Sequence, residues 1–258
     1  MKAIVDLEWM VQYLSKEEDA PTLEESEDAF KKWRHLVNVR PPKAISEEYL
    51  EHEDRFLKAN NNQEEAVALE DLTPVAGDNI YLWKGDITTL AVDSIVNAAN
   101  SELLGCFIPN HNCIDNIIHT KAGIRLRLAC HEIMTEQGKK EPVGKAKLTP
   151  AYHLPANYII HTVGPTASGR VTRINQKLLA QTYQACLEMA DRNQLESIAF
   201  CCISTGVFGF PNEPAAEIAI TTVRDYLIDH ETDLKVIFNV YEDEDEAIYQ
   251  KKLIKGDA

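Results

Sequence analysis

The chain has 258 residues, of which 45% are hydrophobic and 26% are charged, an ordinary balance for a globular protein with room for one large domain and an extension. Its formal net charge is −15, which excludes a broad non-specific grip on nucleic acid because phosphates would be repelled over most of the surface. A small anionic ligand remains compatible with this charge, since a local cradle of backbone N–H groups binds phosphate even on an acidic protein.

Targeting signals and disulfides are both absent from the sequence pattern. No run of residues approaches the roughly 20 apolar positions that a membrane-spanning helix needs. The first ten residues, MKAIVDLEWM, lack the basic start, apolar stretch and cleavage site of a secretion signal. The six cysteines show no regular spacing, so we interpret them as thiols or metal ligands. We therefore expect a cytoplasmic protein with no membrane partner.

Residues 1–75 differ from the remainder in charge and in hydrophobic spacing. They hold 18 Asp and Glu against 9 Lys and Arg, and their apolar residues recur at helical intervals. Pro41 and Pro42 interrupt this pattern, and Ser46 precedes a fresh helix start. We predict a helical extension, residues 1–75, of about three short helices. It is expected to pack on a main domain, residues 76–258, and to cover apolar surface there.

From residue 80 onward, strand-like and helix-like segments alternate. The predicted strands are 80–83, 94–98, 145–150, 158–162, 197–203 and 235–240. The predicted helices are 115–137, 173–194, 213–228 and 243–252. This alternation predicts an α/β domain with three layers, α/β/α, whose ligand lies beyond the carboxyl ends of the strands.

A loop with two glycines, residues 204–211, follows the predicted strand 197–203 and precedes a helix. We call it the glycine loop. Glycines at this position let backbone N–H groups approach phosphate oxygens closely. Glycines also mark ordinary turns, so the loop by itself leaves phosphate binding and a plain turn both open.

A second loop, residues 106–113, holds two thiols and an imidazole, and we call it the cysteine loop. Cys106, His111 and Cys113 offer a donor set that suits zinc. Three protein ligands with one open position are typical of a catalytic zinc rather than a structural one. The alternative is a pair of buried cysteines beside an incidental histidine.

Polar residues flank the cysteine loop on both sides. Asn97 and Asn100 lie at the end of the predicted strand 94–98, and Asp115 and His119 are four residues apart on a predicted helix. Residues at that spacing share a helix face, so both can look into one pocket. The structural alternatives are turn-forming asparagines, a helix-start aspartate and a satisfied core histidine.

Together, several segments resemble the macrodomain family. They are the run from Gly85 to Thr88, the segment 92–101 with its Asn-Ala-Ala-Asn, the segment 114–119 followed by Ala122-Gly123, the segment 159–165, and the glycine loop. The resemblance covers about residues 80–253 and implies a three-layer α/β/α macrodomain with a mixed central sheet, preceded by the helical extension.

One departure from the family pattern is informative. Most members carry a glycine-rich loop where this chain has the cysteine loop. This is similar to the zinc-containing macrodomain branch, which also tends to carry an N-terminal helical extension. The resemblance therefore implies Zn²⁺ bound by Cys106, His111 and Cys113.

The resemblance also implies roles for individual residues. Asp86 would accept a hydrogen bond from the adenine amino group, with Ile87 adding a backbone N–H and Tyr241 flanking the base. Asn100 would bind the distal ribose, and Asp115 stands where family hydrolases place a catalytic acid, so we name both as catalytic residues. The residues expected to wrap the diphosphate are Ser204, Thr205, Gly206, Val207 and Phe208.

The activity implied is a zinc-dependent hydrolase that removes mono-ADP-ribose from modified protein, with an Asp or Glu ester as the expected linkage. Two alternatives are a non-catalytic ADP-ribose reader and a deacetylase of O-acetyl-ADP-ribose. The resemblance further suggests a lipoyl-carrier protein as the substrate and a functional pairing with an ADP-ribosylating sirtuin.

Overall fold

The computed structural model describes residues 2–77, 79–168 and 170–255. The helices in this part of the chain are α1 (Lys2–Leu14), α2 (Ala29–Val39), α3 (Glu47–Asn61), α4 (Ile114–Ala122), α5 (Ile124–Gln137), α6 (Arg173–Arg192), α7 (Asn212–Asp229) and α8 (Asp243–Lys255). The strands are β1 (Val67–Ala68), β2 (Pro74–Ala76), β3 (Ile80–Lys84), β4 (Leu90–Ala91), β5 (Ser94–Ala98), β6 (Ala146–Pro150), β7 (Tyr158–Thr162), β8 (Ser197–Phe200) and β9 (Lys235–Val240). None of the described helices is both long and apolar enough to cross a membrane.

The main domain is built on a mixed seven-stranded sheet in the order β2-β3-β9-β8-β5-β7-β6. Its inner strands pair in parallel, while β2 and β6 run antiparallel at the two edges. In β5 the consecutive residues Ser94 to Asn97 are all buried, which requires that both faces of the sheet be covered. The predicted α/β class with a mixed central sheet is therefore confirmed.

Two predicted elements were wrong at their boundaries. The helix expected over residues 115–137 is two helices, α4 and α5, which meet at Gly123 with a φ of +94°. A side chain there would be strained, and a Cβ would stand 2.9 Å from a carboxylate oxygen of Glu53. The strand expected to run to residue 203 ends at Phe200, because the chain turns toward the glycine loop.

The helical extension is present as α1, α2 and α3, and it has its own apolar core. Met10, Trp33 and Tyr49 are fully buried in that core, which meets the main domain at Ile124 of α5. Ser46 accepts a hydrogen bond from the backbone N–H of Tyr49 at 3.2 Å and begins α3 where the sequence predicted it. Between α3 and β3 the chain pairs with the main domain through β1 and β2.

Candidate active site

The predicted site residues gather at the carboxyl ends of neighbouring strands. Strands β5 and β8 pair in parallel, so the segment after Ala98 and the glycine loop after Phe200 leave the sheet at the same edge. The cysteine loop then leads into α4, which places Asp115 in the first turn of that helix. The parallel pairing therefore brings together segments that are about 100 residues apart in the chain.

Asp115 is buried and is held by two asparagines from the end of β5. Its Oδ1 accepts a hydrogen bond from Asn97 Nδ2 at 2.8 Å, and its Oδ2 lies 3.4 Å from Asn100 Nδ2. Burial raises the pKa of Asp115 to about 6, although the hydrogen bond from Asn97 opposes the shift. Asn100 also donates to the carbonyl of Gly105 at 3.0 Å, which links the carboxyl group to the start of the cysteine loop.

His119 faces Asp115 but does not form an ion pair with it. The two side chains approach to 3.6 Å between Nε2 and Oδ1. Burial lowers the pKa of His119 well below its ordinary value, so the imidazole is neutral. Neither ring nitrogen has a hydrogen-bond partner among the described residues, which contradicts the alternative of a satisfied core histidine.

A series of buried hydrogen bonds continues from Asp115 into the sheet. Asn97 Nδ2 also approaches His161 Nδ1 at 3.1 Å, so the two amide hydrogens serve the carboxylate and the imidazole. His161 Nδ1 must then accept, and its Nε2 carries the proton toward Thr149 Oγ1 at 2.9 Å. This hydrogen-bond pattern fixes the orientation of Asn97, and with it the position of the Asp115 carboxyl.

The cysteine loop brings its three predicted ligands together. The sulfur and nitrogen donor atoms of Cys106, His111 and Cys113 lie within 4.8 Å of one another, and Cys106 Sγ is 3.9 Å from His111 Nδ1. Two thiols and an imidazole at this separation fit a zinc ion by donor type and by spacing. The turn at residues 108–111 presents His111 to the thiols.

That turn has the residues that a type II turn demands. Pro109 stands at its second position and Asn110 at its third, with a φ of +54°. The backbone N–H of His111 closes the turn on the carbonyl of Ile108 at 3.3 Å. The sequence Ile-Pro-Asn-His therefore produces the bend that returns the imidazole to the cysteines.

Side chains other than the predicted site residues hold the cysteine loop in place. Asn116 of α4 donates to the carbonyls of Cys106 at 3.3 Å and Ile108 at 3.0 Å. Arg34 and Asn38 reach the same loop from α2 of the extension. The sequence held one signal for Asn38, which interrupts an apolar run on α2. The structure shows that Asn38 is buried like its apolar neighbours.

The glycine loop is shaped to leave backbone donors available. The N–H of Phe210 bonds to the carbonyl of Ser204 at 2.9 Å, and the fully buried Phe210 ring anchors the end of the loop. The N–H groups of Gly206, Val207 and Phe208 donate to no described residue. Such a set of free donors is what an anionic diphosphate requires.

The glycine loop also packs closely on the segment that follows β7. The N–H groups of Ala167 and Ser168 donate to the carbonyl of Phe208 at 2.9 Å and 3.3 Å. Gly164 permits this contact, because a Cβ there would lie 2.1 Å from Ser204 Oγ and 2.7 Å from the Ile203 side chain. Among the described residues, these contacts to the loop all come from the main domain.

Asp86 begins the short 3₁₀ turn that contains Ile87, and its carboxylate is already engaged. Its Oδ1 accepts from Thr88 N at 3.0 Å, and its Oδ2 accepts from Lys121 Nζ at 2.9 Å. Burial alone would raise the pKa of Asp86, but the hydrogen bonds from Thr88 and Lys121 outweigh it and hold the pKa below its ordinary value. Tyr241, directly after β9, is 70% exposed.

Comparisons with known proteins agree with this arrangement. The Macro domain family matches residues 96–219. A protein-ADP-ribose hydrolase of Staphylococcus aureus (strain MRSA252) is 54% identical over 226 residues, which cover 87% of this chain and 85% of that protein. The chain belongs to the macrodomain family. A protein of the same name from Treponema medium is 52% identical over 221 residues, covering 84% of this chain and 85% of that protein.

Solved macrodomains have the same fold. The Trypanosoma brucei macrodomain in complex with ADP-ribose matches with a TM-score of 0.68 and 30% identity, covering 85% of this chain and 94% of that one. The Oceanobacillus iheyensis macrodomain with ADP matches with a TM-score of 0.63 and 37% identity, covering 70% and 93%. The predicted family and fold are confirmed, while the zinc-containing branch and the residue roles stay predictions.

Proposed function

We propose that this macrodomain is a protein-ADP-ribose hydrolase that removes mono-ADP-ribose from a modified protein. The observation that carries the proposal is a buried carboxyl, Asp115, held by Asn97 and Asn100 at the sheet edge where the glycine loop leaves the neighbouring strand. The names of relatives above 50% identity that span most of the chain support the same activity.

In this proposal the ligand lies along the carboxyl edge of the sheet. The N–H groups of Gly206, Val207 and Phe208 bind the diphosphate, with Ser204 and Thr205 completing the loop, and Phe208 covers the distal ribose. Asp86 and Ile87 bind the adenine, which Tyr241 flanks. Fixing the diphosphate and the base holds the distal ribose in one orientation relative to Asp115 and Asn100, which lowers the entropic part of the barrier.

Asp115 then acts on water rather than on the ligand's phosphates. The carboxylate accepts a hydrogen bond from a water molecule and orients it, or takes its proton. The water oxygen bonds to the ribose carbon, the bond from that carbon to the side-chain oxygen breaks, and the side-chain carboxylate leaves. The products are ADP-ribose and an unmodified side chain. An ester to Asp or Glu is the linkage we expect, because its carboxylate leaves more readily than an amine.

The same proposal includes zinc. Cys106, His111 and Cys113 would hold the ion, because their donor atoms already lie within 4.8 Å of one another. When bound, zinc supplies Lewis-acid chemistry, which polarises a ribose oxygen or lowers the pKa of a water ligand. The residues of this chain that act at the ribose remain Asp115 and Asn100.

The direct test is release of ADP-ribose from a protein automodified on Asp and Glu. We expect the zinc-loaded protein to release it and the Cys106→Ala/Cys113→Ala double variant to retain neither zinc nor turnover. Turnover at the original rate by the zinc-free variant would show that the metal is structural.

The two alternative functions give different results in the same assay. Tight ADP-ribose binding without release from any linkage would identify a reader. Turnover of O-acetyl-ADP-ribose without turnover of modified protein would identify a deacetylase. A lipoyl-carrier protein modified by an ADP-ribosylating sirtuin is the physiological substrate that we would test first.

A further inference from the structure

We propose that the helical extension is a working part of the metal site, in which Arg34 and Asn38 of α2 are positioning residues for the cysteine loop. The expected effect on zinc affinity rests on the proposed function. The claim that the extension orders the cysteine loop rests on the structure alone. It assigns the extension a role beyond covering apolar surface.

The cysteine loop has little apolar anchorage of its own. Phe107 is 38% exposed and Ile108 is 58% exposed, so neither side chain is buried deeply enough to fix the backbone between the two cysteines. The Phe107 ring makes a cation–π contact, since the Arg127 guanidinium lies 4.4 Å from the ring centroid. Hydrogen bonds must therefore hold this loop.

Arg34 forms hydrogen bonds with the half of the loop that contains His111. Its Nη2 donates to the carbonyl of His111 and to Asn116 Oδ1, the latter at 2.9 Å. Its Nη1 lies 3.4 Å from Asn112 Oδ1. Because Asn116 donates in turn to the carbonyls of Cys106 and Ile108, one guanidinium connects both ends of the loop.

Asn38 forms a hydrogen bond with the turn at residues 108–111. Its Oδ1 accepts from the backbone N–H of Asn110 at 3.0 Å, and its Nδ2 donates to Thr120 Oγ1 of α4 at 3.2 Å. Asn38 is 1% exposed, and a polar side chain buried to that degree is stable only with both groups bonded. The side chain thereby fixes the left-handed residue of the turn against α4.

Arg127 of α5 sets the position of α2 relative to the base of the loop. Its Nη1 donates to the carbonyls of Val37 and Arg40 at the end of α2, both at 2.6 Å, and its Nε donates to Leu104 at 2.7 Å. These bonds satisfy carbonyls that a helix end leaves unpaired. The extension and the loop are therefore joined at a fixed distance.

The test compares Arg34→Met with the native protein and with Arg55→Met as the matched control. Arg55 lies on α3, is half-exposed, and pairs with Asp6 inside the extension without touching the loop. Zinc affinity is measured by competition with a chromophoric chelator, and backbone order by hydrogen exchange at residues 106–113. Arg34→Lys, which keeps the charge but not the forked donor, covers the case in which Arg34→Met does not fold.

We expect Arg34→Met to bind zinc about 10- to 100-fold more weakly, the usual effect of losing an outer-shell partner. Exchange at residues 106–113 should accelerate about tenfold, ADP-ribose affinity should stay near native, and excess zinc should restore kcat. Arg55→Met should match the native protein in each respect. Arg34→Lys should give values between those of the native protein and those of Arg34→Met.

Native zinc affinity and native exchange in the Arg34 variants would overturn the proposal. Failure of the native protein itself to bind zinc would sink the metal part of the proposed function instead. In that case the hydrogen exchange alone decides whether the extension orders the loop, so the two ideas fail separately.

Discussion

The glycine loop and the cysteine loop lie at the same edge of the sheet but are held by different parts of the chain. Backbone bonds from Ala167 and Ser168 and the buried Phe210 ring fix the glycine loop within the main domain. Side chains from α2 and α4 fix the cysteine loop, and two of them belong to the extension. Changes in the extension should therefore affect metal binding and leave ADP-ribose binding nearly unchanged.

The largest effect should come from Asp115, which lies in the first turn of α4, directly after the cysteine loop. We expect Asp115→Asn to lower kcat by about 10²- to 10⁴-fold, the usual contribution of a positioned general base. ADP-ribose affinity should change little, because the glycine loop provides the diphosphate contacts. Turnover and isothermal titration with ADP-ribose measure the two quantities, and a variant with native kcat would exclude Asp115 from catalysis.

A substitution that moves the glycine loop should weaken ADP-ribose binding and leave zinc binding unchanged, which is the reverse of the effect expected for changes in the extension. In Gly164→Ala, the added Cβ would stand 2.1 Å from Ser204 Oγ and 2.7 Å from Ile203, which forces the glycine loop to move. We expect a loss of about 1–3 kcal/mol in the free energy of unfolding and a fall in ADP-ribose affinity, with native zinc affinity.

Gly206→Ala is the matched control for stability in that experiment, because a Cβ there meets nothing within 4 Å. Its free energy of unfolding, measured by urea denaturation, should equal that of the native protein. Equal stability of Gly164→Ala and Gly206→Ala would show that close packing of residue 164 does not hold the loop.

A pH dependence of comparable size is expected at the contact between the extension and the main domain. Glu53 is fully buried, lies 3.4 Å from the Tyr49 hydroxyl, and accepts from the N–H of Ile124 at 3.1 Å. Burial raises its pKa from 4.5 to about 7. A raised pKa favours the protonated form in the folded state, so this stabilisation is complete below pH 4.5 and is lost as pH rises through about 7.

We therefore expect Glu53→Gln to remove up to about 3 kcal/mol of pH dependence in the free energy of unfolding, measured by urea denaturation from pH 4.5 to 8. Glu51→Gln, an exposed carboxylate on the same helix, is the control and should keep the native slope. An unchanged slope in Glu53→Gln would place the pH dependence on other groups.

The elements and the family were largely predictable from the sequence. Helical spacing with the start at Ser46 predicted the extension, and alternating segments with the Asn-Ala-Ala-Asn and glycine-loop motifs predicted the sheet. These features depend on local periodicity and on capping, which neighbouring residues determine. The break between α4 and α5 was missed because an isolated glycine is tolerated within a helical pattern, so Gly123 by itself did not predict it.

The sequence by itself predicted which residues carry the chemistry, because thiols, an imidazole and a carboxylate are recognisable by type and spacing. Only the tertiary structure decided what holds them. Arg34 lies 77 residues before His111 and Asn38 lies 72 before Asn110, and no local pattern relates such pairs. Their contacts arise because the extension folds back on α4 and α5, and that packing is a property of the whole chain.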